Sequence, residues 1–103
     1  MRKMNRILSG TFTAAGGHNF ATGTITFINI KKGAAISLTN PTTGSGTTIT
    51  NLSVKSNDTV IKNGTGAGTG TVINPNDNAT IAISITVSRD NNYPSGSVDY
   101  SIK

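Results

Sequence analysis

From residue 79 to residue 87 the chain alternates without a break. Ala79, Ile81, Ile83, Ile85 and Val87 are apolar, and Thr80, Ala82, Ser84 and Thr86 between them are small or polar. Side chains on a strand point to opposite faces with a period of two, so this run predicts a strand with one buried face. The rest of the chain offers little to a helix. Glu and Gln are absent, Ile and Val far outnumber Leu, and Thr, Gly, Asn and Ser make up 51 of 103 residues. That composition excludes a helical bundle and predicts an all-β protein. Without a cysteine there is no disulfide-stapled or Cys-bound zinc domain. No apolar run reaches the roughly 18 residues that a membrane-spanning helix needs, and no membrane partner is expected.

Further strands follow by the same alternation. The last, over residues 97–102, puts Val98, Tyr100 and Ile102 on one face. The stretch 24–30 changes register between Phe27 and Ile28, the mark of a bulge or of burial on both sides. Residues 34–40 carry Ile36 and Leu38, and 47–55 carry Ile49, Leu52 and Val54 with a one-residue slip. The stretches 60–62 and 69–73 read as short edge strands, and 10–13 as one more. Between them, residues 40–46 read as a loop, Asn63-Gly64 as a two-residue hairpin, 64–70 as a glycine-rich connection, and 89–96 as a long hairpin connection. One domain accommodates all of this. Its expected division is a basic, partly apolar N-terminal arm over 1–20, hinged at Gly16-Gly17, and a β-sandwich over 21–103. On that division, deleting residues 1–12 leaves the domain folded.

From Ala34 onward the chain resembles small immunoglobulin-like sandwich domains that lack disulfides, a type met in bacterial surface proteins and phage particles. The resemblance is carried by Ile36-Ser37-Leu38-Thr39-Asn40, by Ile49-Thr50-Asn51-Leu52-Ser53-Val54, by the turn Asn74-Pro75-Asn76, and by Tyr93-Pro94-Ser95-Gly96 between two alternating strands. It implies an immunoglobulin-like β-sandwich of about seven short antiparallel strands. The chain departs from antibody-type domains in having no cysteine pair and no core tryptophan. Sequence does not separate that topology from a small jelly roll. In role, a cysteine-free, Thr/Gly/Asn/Ser-rich sandwich behind a basic arm is similar to the auxiliary decoration proteins of tailed bacteriophage capsids.

Chemistry is sparse. The single histidine, His18, lies outside the expected sandwich, and no nucleophile elbow is present. Asp58, Asp77 and Asp90 sit in turn-like contexts, where Asp serves local hydrogen bonds. The Asn/Asp clusters at 74–78 and 90–92 hold one carboxylate each, too few for calcium. Residues 64–68 lack the Lys-Ser/Thr and the helix of a phosphate loop. The expectation is a non-catalytic protein with no cofactor and no metal.

The net charge is +5. Arg2, Lys3 and Arg6 crowd the N-terminus ahead of Ile7-Leu8, a pair too short for the h-region of a secretory signal. Most of the five aromatic residues alternate into core positions, which disfavours nucleic acid as a partner. These readings converge on a capsid-decorating protein, made in the host cytoplasm without a signal peptide and located on the virion surface. Its expected partners are the major capsid protein or other virion subunits. The expected contact residues are Arg2, Lys3, Arg6, Ile7 and Leu8 in the arm, with Tyr93 and Pro94 at a hairpin tip. The alternative is a carbohydrate-binding or adhesive module of a surface fibre, with a host-surface glycan as its partner.

Overall fold

The structure is a computed structural model and describes residues 8–64, 69–89 and 93–103. Eight strands succeed one another: β1 (Leu8–Ala14), β2 (Phe20–Ile30), β3 (Ala35–Thr43), β4 (Thr48–Ser56), β5 (Thr59–Gly64), β6 (Gly70–Ile73), β7 (Ala79–Ser88) and β8 (Gly96–Ile102). There is no helix among the described residues. The strands form two four-stranded antiparallel sheets, ordered β1-β8-β3-β6 and β2-β7-β4-β5. The all-β sandwich expected from sequence is what forms. Its strand order decides between the two topologies left open, because eight strands interleaved in this way make the double Greek key of a jelly roll. An immunoglobulin-like domain instead pairs its first strand with its second within one sheet.

Only β4 and β5 are consecutive partners; every other connection crosses between sheets. The one tight hairpin is therefore at Asn57-Asp58, whose φ angles of 49° and 68° are those of the left-handed pair a two-residue hairpin needs. Asn63-Gly64, expected as a hairpin, closes β5 instead. Residues 89–95 join β7 to β8 across the sandwich, so they make a corner rather than a hairpin. Asparagine explains much of the irregular backbone. Among the described residues, five of the six non-glycine positions at positive φ are Asn19, Asn29, Asn40, Asn57 and Asn78. Asn tolerates this region because its short amide bonds locally. Asn29 sits where the β2–β7 register breaks, and Asn40 where the β3–β8 register breaks.

The alternating strand β7 is the centre of its sheet. Ile83 lies between Ile25 of β2 and Val54 of β4, and all five inward residues of β7 are completely buried. Each buried isoleucine removes enough apolar surface to contribute about 1.5–3 kcal/mol. The opposing sheet supplies Ile36, Leu38, Val98 and Ile102. Phe12, Phe27 and Tyr100 close one side, with the Tyr100 ring centroid 5.2 Å from Phe27 and 6.1 Å from Phe12. Outward positions carry hydroxyls paired across strands: Thr22 with Thr86 at 3.0 Å, Thr24 with Ser84 at 2.9 Å, and Ser37 with Thr71 at 2.8 Å. The Ser/Thr richness is thus the polar half of the strand alternation.

From Leu8 to Ala14 the expected arm is a strand of the sandwich. Leu8–Ala14 pairs with β8 along its whole length, and Leu8, Phe12 and Ala14 pack into the core. Gly23 makes this possible. A Cβ there would stand 2.9 Å from the Thr13 carbonyl oxygen and 3.3 Å from the Ala14 Cα, so the edge strands of the two sheets meet only because β2 has no side chain at that point. Residues 1–7 lie outside the described residues.

The end of the sandwich that holds the 31–34, 57–58 and 74–78 connections is fastened by one side chain. Asn74 is fully buried. Its amide nitrogen donates to the carbonyls of Lys31 (2.7 Å), Asn76 (2.7 Å) and Ile30 (3.3 Å). Its amide oxygen accepts from the Ser56 hydroxyl (2.6 Å) and the Asn76 backbone N–H (3.1 Å). Among the described residues no buried side-chain polar atom is left without a partner.

Candidate functional site

At the opposite end, the 15–19 and 44–47 connections come together with Arg89 and residues 93–95. Gly96 is paired with both Ala14 and Thr43, and Ser88 with both Phe20 and Thr48, so the ends of these strands are held side by side. The Gly44 N–H donates to the Ser95 carbonyl at 3.1 Å, and the Arg89 N–H to the Asn19 carbonyl at 2.8 Å. Three loops thereby become one surface. On it lies a shallow concavity of about 260 Å³, lined by Thr13, Thr42, Thr43, Gly44, Ser95 and Ser97. It is a hydroxyl-rich dip with no ionisable side chain in its wall.

Aromatic residues are concentrated at this end. Tyr93 is 66% exposed and Phe20, at the start of β2, is 63% exposed. The exposed His18 ring meets the Tyr93 ring edge to face, with centroids 5.1 Å apart. Arg89 is half-buried. A Cβ on Gly46 would be 3.4 Å from its Nε, so the guanidinium stem lies over the 44–47 loop, whose Gly46 stands at φ 69°. Tyr and Arg are among the residue types that carry most binding energy at protein interfaces.

The residues singled out from sequence fare differently. Tyr93 is exposed at this surface. Pro94 next to it is fully buried, because the chain turns inward there to enter β8, and it offers no contact. Leu8 is a half-buried core residue of β1 rather than a contact in an arm. Arg2, Lys3, Arg6 and Ile7 lie outside the described residues, as do 90–92 and most of the glycine-rich 64–70 stretch. Sequence does not single out His18 or Phe20 as contacts: His18 reads as a loop residue, and Phe20 falls at the end of the expected arm. For Phe20 the signal was available, since it shares a parity with Thr22, Thr24 and Thr26, the polar face of β2.

Among the described residues there is no group of three metal-ligating side chains. In the 74–78 cluster, expected from sequence to be too poor in carboxylates for calcium, the Asn74 oxygen accepts from Ser56 and Asn76. Asp99 stands alone on the outer face of β8. Thr11 and Asn40 donate hydrogen bonds to its carboxylate, and these hold its pKa below the usual carboxylate range.

No family model matches the chain, and no curated protein matches it. A solved structure does: Aeromonas hydrophila PliG, a periplasmic lysozyme inhibitor of g-type lysozyme, with a TM-score of 0.58 at 17% identity over 95% of this chain and 85% of that one. The likeness is to an enzyme inhibitor. At this identity it establishes a shared fold across nearly the whole of both chains. The capsid-decorating role is accordingly set aside, and with it the capsid and glycan partners and the virion location. The structural footing of that role also goes, because its attachment arm is, from Leu8 onward, a strand of the sandwich.

Proposed function

We propose that the protein is a binding module that docks on a glycan-cleaving enzyme of the lysozyme type and inhibits it, without catalysis of its own. The observation that carries this reading is the loop end of the sandwich, where Tyr93, His18 and Phe20 stand exposed and Arg89 lies over the 44–47 loop. The extent of the fold likeness to a periplasmic lysozyme inhibitor supports the choice of partner. Absence of catalysis is supported by how the acids are spread among the described residues: Asp58 and Asp77 lie at one end, and Asp99 on an outer face is tied up by Thr11 and Asn40. Glycoside cleavage needs two carboxyl groups facing one another across a bond. Such an inhibitor acts in the cell envelope, where lysozymes meet their substrate.

The test is lysis of a peptidoglycan suspension by g-type, c-type and i-type lysozymes, each with increasing amounts of the purified protein. Stoichiometric loss of activity against at least one class is expected. Unchanged lysis by all three at a large molar excess would remove the reading.

A further inference from the structure

The outer face of the β2-β7-β4-β5 sheet differs from the rest of the surface. Five large apolar side chains are exposed among the described residues, and three of them, Phe20, Ile28 and Val60, stand on this face. Phe20 and Ile28 share the outward parity of Thr22, Thr24 and Thr26, and Val60 ends the cross-strand row Thr26–Ala82–Lys55–Val60. Between them lie small hydroxyl residues bonded to one another, Thr22 to Thr86 and Thr24 to Ser84. Covering such pairs costs less than covering free hydroxyls. Among the described residues the strand positions of this face hold one ionisable side chain, Lys55. Lys62 pairs with inward-facing Val54 and its Nζ donates to the Thr69 carbonyl, so it points away from the face. The outer face of the other sheet carries Asp99 and only one exposed large apolar residue, Ile73.

We infer that this face binds the same face of a second copy, the two sheets stacked about a two-fold axis that runs across the strands along the Thr24 row. A symmetric pair needs a self-complementary patch, in which one residue meets another and the reverse contact repeats it. The register supplies one. Thr24 is the midpoint between Phe20 and Ile28, so the axis sets Phe20 of each copy over the second copy's Ile28. The Thr24 row runs through Ser84 to Ser53, and reversal about it sets Lys55 over the second copy's Asn51. The two lysines then stand about 13 Å apart along the strands, beyond the reach of strong repulsion in salt. Phe20 to Ile28 spans about 27 Å, and four strands span about 19 Å. The footprint is about 500 Å² on each copy, or about 1,000 Å² in all before side-chain relief is counted, the size at which specific interfaces begin. The pair is therefore a weak, concentration-dependent dimer. It does not depend on the enzyme-docking reading, and it adds to it: the loop ends of the two copies point in opposite directions, so the dimer presents two of them.

The experiment is sedimentation velocity of the purified full chain from about 1 μM to about 1 mM, the range in which weak association is read. The mass of the wild type rises with concentration from 10.6 kDa towards twice that value. Thr24→Lys sets like charges against each other on the axis and holds the chain at the monomer mass. Phe20→Asp raises the dimer Kd by about tenfold or more, as loss of a buried aromatic contact does. Adding Ile28→Lys to Phe20→Asp restores association, because a carboxylate and an ammonium then meet across the interface, and high salt removes the recovery. Ser101→Lys, on the outer face of the other sheet, leaves the Kd within about twofold, the behaviour of a remote site. The melting temperature of each variant reports its folding, and if Thr24→Lys fails to fold, the Phe20 and Ile28 variants decide. A wild type that keeps the monomer mass throughout overturns the inference. So does a dimer that survives Thr24→Lys, a loss on Ser101→Lys as large as that on Thr24→Lys, or a double variant as weak as Phe20→Asp alone. Lysozyme inhibition is measured separately and stands or falls without these results.

Discussion

Replacing Asn74 by alanine tests how one end of this sandwich is held. The side chain is completely buried and joins three connections: the carbonyls of Ile30 and Lys31 after β2, the Ser56 hydroxyl ending β4, and the backbone of Asn76 before β7. Lys31 is exposed and Asn76 partly so, and water can replace what they lose. Ser56 and Ile30 are buried, and their hydroxyl and carbonyl each lose a bond to Asn74. A buried polar group stripped of its partner costs about 1–3 kcal/mol, and because the Ser56 hydroxyl still accepts a hydrogen bond from the Asn76 amide at 3.0 Å, the expected loss is about 1–3 kcal/mol. For a domain of this size each kcal/mol lowers the melting temperature by about 4–8 °C, giving a fall of roughly 4–24 °C. Thermal melts followed by circular dichroism measure this, and urea titration should show a lower midpoint at an unchanged slope. Asn74→Asp has nearly the same shape and sharpens the test. Only its protonated form can donate to a backbone carbonyl, so its folded-state pKa is raised, and its stability is best at low pH and declines as pH rises. A melting temperature for Asn74→Ala within about 3 °C of the parent would refute the reasoning, since even one orphaned buried group costs about that much.

Other positions yield expectations of the same kind. Gly23→Ala forces a Cβ to within 2.9 Å of the Thr13 carbonyl oxygen and should cost about 1–3 kcal/mol in urea unfolding; an unchanged midpoint would mean that β1 and β2 do not touch there. Deleting residues 1–14 removes β1 with Leu8, Phe12 and Ala14 and should abolish cooperative melting, the reverse of what an independent arm implies. Ile83→Asp buries an unpaired charge between Ile25 and Val54, and a well-dispersed NMR spectrum from that variant would contradict the register of β7. The hydrogen bonds from Thr11 and Asn40 depress the pKa of Asp99 in the folded state, so its stabilising contribution is complete above about pH 4 and is lost as pH falls further. The gap in melting temperature between wild type and Asp99→Asn should accordingly be present at pH 6 and close towards pH 2.

Much of the sandwich can be read from the chain because strand alternation is a local property. β7 is legible from Ile81, Ile83, Ile85 and Val87 alone, and the bulge in β2 shows as the slip after Phe27. Strand pairing is not local. Nothing near Arg89 or Tyr93 says whether residues 89–95 return to the same sheet or cross to the other, and that choice separates a hairpin from a corner. The status of residues 8–14 turns on a glycine in a different strand: Gly23 lets β1 approach β2, and its reason is visible only with Thr13 and Ala14 beside it. The candidate site was harder still. Tyr93 stood out by type, but His18, Phe20 and Arg89 come from different loops, and their common end is set by the crossing of the strands.

The central claim is that the loop end of this jelly roll binds a lysozyme-type enzyme. The most direct measurement is isothermal titration of the purified chain into a g-type lysozyme at moderate ionic strength. One-to-one binding that is weakened when salt is raised and abolished by Arg89→Gln together with Tyr93→Ser is the predicted result. No heat of binding, or equal heats from wild type and the double variant, would contradict it.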